Sequence, residues 1–235
     1  MIFKTQNKKV PRPLTSLKIN GKSISEVNHI KFLGVIVDSD LNWQYHIQHI
    51  KSKIAKSIGI IAKMRTLVPM ETLRTLYYAF VYPHMNYCIE VWGKTYDKYT
   101  DSIIKLQKRI VRIMTFSHFQ AHSEPLFKQM KILPLKKIYM LSVSKFMFKY
   151  THNLLPNIFH GLFTRNSFCH HYYTKSSDLF RIPKIRLDMR KRTIAYTGVI
   201  IWNELNKKFN SSMMSLNVFK NIIKYYLYDN NPSFL

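Results

Sequence analysis

Three groups of residues in this sequence of 235 have types and spacings that could do chemistry. The first is acidic. Two-metal transfer of phosphoryl groups needs clustered carboxylates that hold ions about 3.5–4 Å apart. The twelve Asp and Glu are scattered and no two are adjacent; the closest pair is Asp38 and Asp40. That pair suits a polar turn and helix cap, roles that Asp favours for local hydrogen-bonding reasons. The second group could bind metal. His118 and His122 stand four apart but lack the Glu that a zincin helix places between them. Cys169, His170 and His171 are consecutive, and neighbours on a chain rarely point at one ion. There is no CxxC pair and no GxSxG elbow. The six glycines lie far apart, so no Gly-rich loop cradles a phosphate. No catalytic residue, metal ligand or cofactor is assigned.

The third group is cationic. Lys105, Lys108, Arg109 and Arg112 fall within eight residues at helical spacing. They lie opposite an apolar face of Ile103, Leu106, Ile110 and Ile113. A solvated helix face normally mixes signs to gain i,i+4 pairs, yet no acid occurs between Lys105 and Arg112. Such a stripe can lie along a sugar-phosphate backbone, its cations displacing counterions. Lys51 and Lys53 could add to it. So could Arg190 and Arg192, which end a basic run through Arg181, Lys184, Arg186 and Lys191.

The whole chain shares this bias. Lys and Arg number 37, and the net charge is +25. Self-repulsion on that scale implies a polyanionic partner, nucleic acid first and an anionic membrane surface second. Disorder is argued against by 46% hydrophobic and 14% aromatic content. No apolar run reaches the roughly 18 residues of a membrane span. Nor does an apolar core of about 7–15 residues follow Met1, so no signal peptide is expected. The expected location is intracellular, in nucleus or cytoplasm, and not secreted.

These residues need elements to position them. Residues 1–40 read as β structure. Asn20-Gly21 marks a hairpin turn, and Lys31 to Val37 reads as a buried strand closed by Asp38-Ser39-Asp40. The period then changes. Trp43, Ile47, Ile50, Ile54, Ile58 and Ile61 mark one face of a long helix, which Asp40 or Asn42 could cap. Pro69 suits the start of a second helix with Leu73, Leu76, Tyr77 and Phe80 inward. Pro83 breaks or kinks it, and Cys88 to Trp92 continue helically. The cationic helix spans about 101–114, and a fourth spans 135–150 with Ile138, Leu141, Met147 and Phe148 inward. Residues 165–192 lose periodicity and read as a basic loop or hairpin. Helices at 197–209 and 216–228 follow, the second capped by Ser215. The expected fold is mainly α: a small N-terminal β segment leading into a bundle of six or seven helices.

Several short strings resemble one family. Lys31-Phe32-Leu33-Gly34-Val35, followed by Leu41-Asn42-Trp43 and His46-Ile47, is similar to the segment after the catalytic palm in reverse transcriptases of non-LTR (LINE-like, jockey-type) retrotransposons. So are Leu76-Tyr77-Tyr78 with Tyr82-Pro83, Tyr87-Cys88 and Val91-Trp92-Gly93. Leu106-Gln107-Lys108-Arg109 with Arg112-Ile113, Ala121-His122, Pro125-Leu126-Phe127, Gly198 and Ile201-Trp202-Asn203 continue the likeness. It extends from about Phe3 to Lys224.

The resemblance, together with the loss of periodicity at 165, implies a division into three regions. Residues 1–40 would be the last palm strands, with Phe32, Leu33 and Gly34 in the hairpin that holds the primer's 3′ end. Residues 41–164 would be a helical thumb, and residues 165–235 a basic loop or hairpin with C-terminal helices. The family's catalytic aspartates sit in a [FY]-A-D-D turn of the palm, which this sequence lacks. Mg is expected for the full-length parent and no cofactor for this chain. The implied partners are RNA or an RNA–DNA duplex, and the upstream palm and fingers. The alternative is a non-catalytic basic interaction module or a decayed relic of such an element.

Overall fold

The structure, a computed structural model, describes residues 1–3, 18–168, 176–209, 214–230 and 232. Two small antiparallel hairpins come first. β1 (Lys18–Ile19) pairs β2 (Lys22–Ser23). The turn residues Asn20 and Gly21 have φ of 50° and 78°, as a two-residue hairpin turn requires. The stretch from Lys31 to Val37 is not one buried strand. It folds in two, β3 (His29–Phe32) against β4 (Val35–Asp38), around Leu33 and Gly34. All of β3 is exposed, whereas β4 buries Val35 and Asp38. A short apolar run does not distinguish a single buried strand from two strands folded on a turn.

β4 docks on α1 (Gln44–Met64), whose isoleucine stripe from Ile47 to Ile61 is buried as its spacing predicts. Asp38, not Asp40, organises the start of this helix. Its carboxylate accepts the N–H groups of Asn42 (3.0 Å) and Trp43 (2.7 Å). The Asn42 side chain then accepts the N–H of Gln44 at 2.9 Å. Together they satisfy donors that a helix start leaves unpaired.

The next helix breaks at Val81, two residues before Pro83, and Cys88, with φ of 50°, stands before the last piece rather than inside it. α2 (Met70–Phe80), α3 (Tyr82–Asn86) and α4 (Ile89–Trp92) are separate pieces. Leu73 and Tyr77 are buried, but Phe80 is 43% exposed and Leu76 only half-buried. α5 (Asp97–Met114) carries the cations, and α6 (Ser123–Gln129) follows. α6 is too short for periodicity to reveal, although Glu124 and Pro125 in its first turn are start signals. α7 (Leu135–Thr151) precedes the irregular region. There a bridge joins Arg165 to Phe180 beside a 3₁₀ turn at Asn166–Phe168. α8 (Asp188–Lys191), α9 (Ile194–Lys208) and α10 (Leu216–Asp229) complete the chain. Ser215 caps α10 through the N–H of Val218. The described residues thus form ten α-helices rather than six or seven, the extra ones being short. Cys169, His170 and His171 lie outside the described residues.

α7 is the centre of the packing and touches α3, α4, α5, α9 and α10. Its close approach to α4 depends on Gly93. A Cβ there would stand 2.7 Å from the Tyr139 ring and 2.6 Å from the Ile89 carbonyl oxygen. One hydrophobic cluster runs from Ile47 to Leu227. No helix among the described residues is long and apolar enough to cross a membrane.

Candidate nucleic-acid interface

α5 is built from the inside outward. Ile103, Gln107, Ile110, Val111 and Met114 are buried, so its core face is rotated from the predicted stripe, and Leu106 and Ile113 become half-buried flanks. At the centre of the buried face stands a polar residue, Gln107. Its Nε2 donates to the Tyr77 hydroxyl and the Leu133 carbonyl, both at 2.8 Å, and its Oε1 accepts the N–H of Leu135 at 2.9 Å. Burial therefore costs it no hydrogen bond. Apolar periodicity has no means of finding such a residue.

The opposite face presents Lys105, Lys108 and Arg109, all exposed. None of the three forms an ion pair among the described residues. Arg112 shares the face but is half-buried, and its Nε donates to the Ala121 carbonyl at 2.8 Å. It closes the turn after α5 as well as adding charge.

Lys51 and Lys53 are both exposed on α1. Two residues apart on a helix, they point about 160° apart and cannot serve one surface. Lys53 belongs to a basic group that sequence spacing does not reveal. Burial first, then Lys53 and Lys31, lowers the pKa of His49. Burial first, then Lys53 and His49, lowers that of His84. Lys31 of β3, His49 and Lys53 of α1, and His84 of α3 are thereby brought together beside the β3–β4 hairpin.

At the tip of that hairpin Phe32 is 65% and Leu33 75% exposed. The tip is nevertheless held. The Tyr87 hydroxyl donates to the Leu33 carbonyl at 2.6 Å. At Gly34, φ is +82° and a Cβ would lie 3.3 Å from the Tyr87 ring, so a side chain would be strained there. Beneath the hairpin, His46 Nδ1 accepts the Ile36 N–H at 3.3 Å, and its Nε2 is buried without a partner. Burial, with help from His49 and Lys53, holds the His46 pKa down to about 4. A neutral ring suits this site, because protonation would place a charge where nothing receives it.

Arg190 is exposed on α8. Arg192 is engaged: it pairs with Asp188 at 2.5 Å and stacks 3.6 Å over the Tyr96 ring. Two of the acids have partners within the fold. The Asp38 carboxylate already serves two backbone N–H groups, and Glu90 receives the Ser142 hydroxyl. Among the described residues no three His, Cys, Asp or Glu side chains converge.

Comparison with known proteins agrees with the sequence likeness over part of the chain. The chain is 23% identical over 132 residues, 54% of its length, to the probable RNA-directed DNA polymerase from transposon X-element of Drosophila melanogaster. It is 30% identical over 105 residues, 43% of its length, to the RNA-directed DNA polymerase from mobile element jockey of Drosophila funebris. The matched stretches cover 14% and 11% of those two polymerases. No family model and no solved structure matches the chain. The strings that resemble this family are largely scaffold. Tyr77 and Gln107 bond inside the core, and Trp92 is fully buried. Asn203 accepts the Phe180 N–H at 3.0 Å and donates to its carbonyl at 2.8 Å.

Proposed function

We propose that this chain is the C-terminal region of a reverse transcriptase of a non-LTR retrotransposon, working inside the cell on template–primer nucleic acid. In this reading residues 1–40 end the palm, the helices from α1 onward form the thumb and the region after it, and the β3–β4 hairpin holds the primer's 3′ end. The metal-binding aspartates and their Mg belong to the palm and not to these residues. The 235 residues alone therefore do not polymerise.

The observation that carries the reading is α5. Its inner face is locked by Gln107 while Lys105, Lys108 and Arg109 point outward without an acid partner. A rigid cationic ridge suits a duplex gripped by phosphate and shape rather than by base sequence. The exposed Ile19, Ile24, Ile30 and Phe32 of the two hairpins support a further protein surface beside them, which the upstream palm would supply.

The test is duplex binding as a function of salt. With about six phosphates neutralised, log affinity for an RNA–DNA duplex falls against log salt with a slope near −5. Exchanging Lys105, Lys108 and Arg109 for Gln flattens that slope by about 3. A slope near zero would sink the proposal. Tighter binding to anionic vesicles than to duplex would favour the membrane-interaction module instead.

A further inference from the structure

A second cationic groove lies away from the α5 ridge, between α2 and α10. Its α2 wall carries Arg74 and Tyr78, and its α10 wall carries Lys224, Tyr225 and Tyr228. Lys131, from the turn after α6, closes the floor. The groove encloses about 450 Å³. Nothing in the hydrophobic pattern marks it, because its two walls are about 150 residues apart in sequence.

The floor is firmly built. The Tyr78 and Tyr228 hydroxyls both donate to the Lys131 carbonyl, at 3.0 and 2.7 Å. This fixes three separate segments around one oxygen, and two aromatic rings are held in place as a result. Tyr225 stands edge-on to Tyr228, with ring centroids 6.5 Å apart, and is 70% exposed. Lys224 Nζ lies 5.9 Å from the Tyr228 ring centre.

The charge here is unbalanced. No acid lines the groove, and Arg74, Lys131 and Lys224 form no ion pair among the described residues. Lys224 is pushed down by burial and then by Lys220 and Arg74. Folding has brought like charges together from two helices, which is unfavourable without an anion between them. One cleft separates the groove from the α5 ridge. Tyr228 lines this neighbouring cleft together with Lys108, Lys128, Lys137 and one acid, Glu124, so a cleft of net positive charge lies between the ridge and the groove.

We infer that this groove is a second nucleic-acid site, which takes an unpaired RNA strand as it leaves the duplex held on α5. Cations that track a backbone beside an exposed aromatic ring are the features that bind single strands with little regard to sequence. Tyr225 supplies the stacking face, Arg74 and Lys224 meet phosphates, and the Asn221 amide can reach a sugar or base edge. The inference rests on the duplex reading for the direction of the strand, but not for the existence of the site.

The experiment is fluorescence anisotropy on the full chain with three RNAs. They are a blunt duplex, the same duplex with a single-stranded extension of about eight nucleotides, and that extension alone. The extension should tighten binding about tenfold over the blunt duplex. Tyr225→Ala and Lys224→Gln should each remove about fivefold of that gain, while Tyr225→Phe keeps it. Blunt-duplex affinity should be unchanged in all three variants, and a thermal melt checks that each is folded. An extension that adds nothing overturns the inference, as does a gain indifferent to Tyr225→Ala or an equal loss on the blunt duplex. A chain that ignores the blunt duplex yet holds the free strand through Tyr225 overturns the α5 reading alone.

Discussion

Helices α5 and α7 are nearly equal in length, 18 and 17 residues, yet they use their surfaces in opposite ways. α5 has one buried face and one cationic face. α7 is buried nearly all round, with Leu135, Ile138 to Ser144, Met147 and Phe148 inside. Its serines are satisfied within the protein: Ser144 donates to the Met140 carbonyl at 2.7 Å, and Ser142 to Glu90. The pair shows where stability and binding are kept apart. α7 supplies cohesion and leaves little beyond its lysines, such as Lys136 and Lys137, to solvent, whereas α5 gives half of itself to solvent and relies on Gln107 to stay in register.

The largest effect is expected on α7. Phe148 is 1% exposed and stacks on His152 and Phe219, with centroids 3.9 and 4.6 Å away. Phe148→Ala should cost about 3–5 kcal/mol in urea unfolding, by lost burial and a cavity. A loss under about 1 kcal/mol would mean that α7 is not the centre of the fold.

A third helix, α1, can be probed by acid. The His46 pKa falls from its ordinary 6.5 to about 4 in the fold. Its contribution is whole above pH 6.5 and is lost as the pH falls from 6.5 toward 4, because the unfolded chain takes up the proton first. The loss should reach up to about 3 kcal/mol and should vanish from the pH profile of His46→Gln.

Within α5, Gln107→Leu should cost about 2 kcal/mol, because it strands the Leu135 N–H and the Leu133 carbonyl in the core. The smallest effect on stability is expected from the outer face. Exchanging Lys105, Lys108 and Arg109 for Gln should move unfolding by less than about 0.5 kcal/mol while weakening duplex binding. If the triple variant unfolds as readily as Phe148→Ala, the two helices do not differ as described.

Sequence pattern revealed what depends on local periodicity. The isoleucine stripe of α1, the break near Pro83 and the Ser215 cap were legible because each is set by residues within a few turns. The polar clamps were not. Gln107 reaches Tyr77, Asn203 reaches Phe180, and Arg112 reaches Ala121, and spacing alone does not name a distant partner. Periodicity does not mark the β3–β4 turn, because Leu33-Gly34 sits inside an apolar run, whereas the family resemblance puts a hairpin at Phe32 to Gly34. Of the cations, the α5 stripe could be read as one surface. The gathering of Lys31, His49, Lys53 and His84 could not, since three elements contribute to it.

The Tyr87 side chain has a mechanical consequence. Its hydroxyl holds the Leu33 carbonyl at the hairpin tip, and its own carbonyl accepts the indole N–H of buried Trp92 at 2.9 Å. The exposed tip is thus the end of a lever whose fulcrum is one tyrosine and whose anchor is in the core. A push at Phe32 does not dissipate in a floppy loop. It is carried through Tyr87 to the α4 elbow and, through the glycine contact at position 93, to α7.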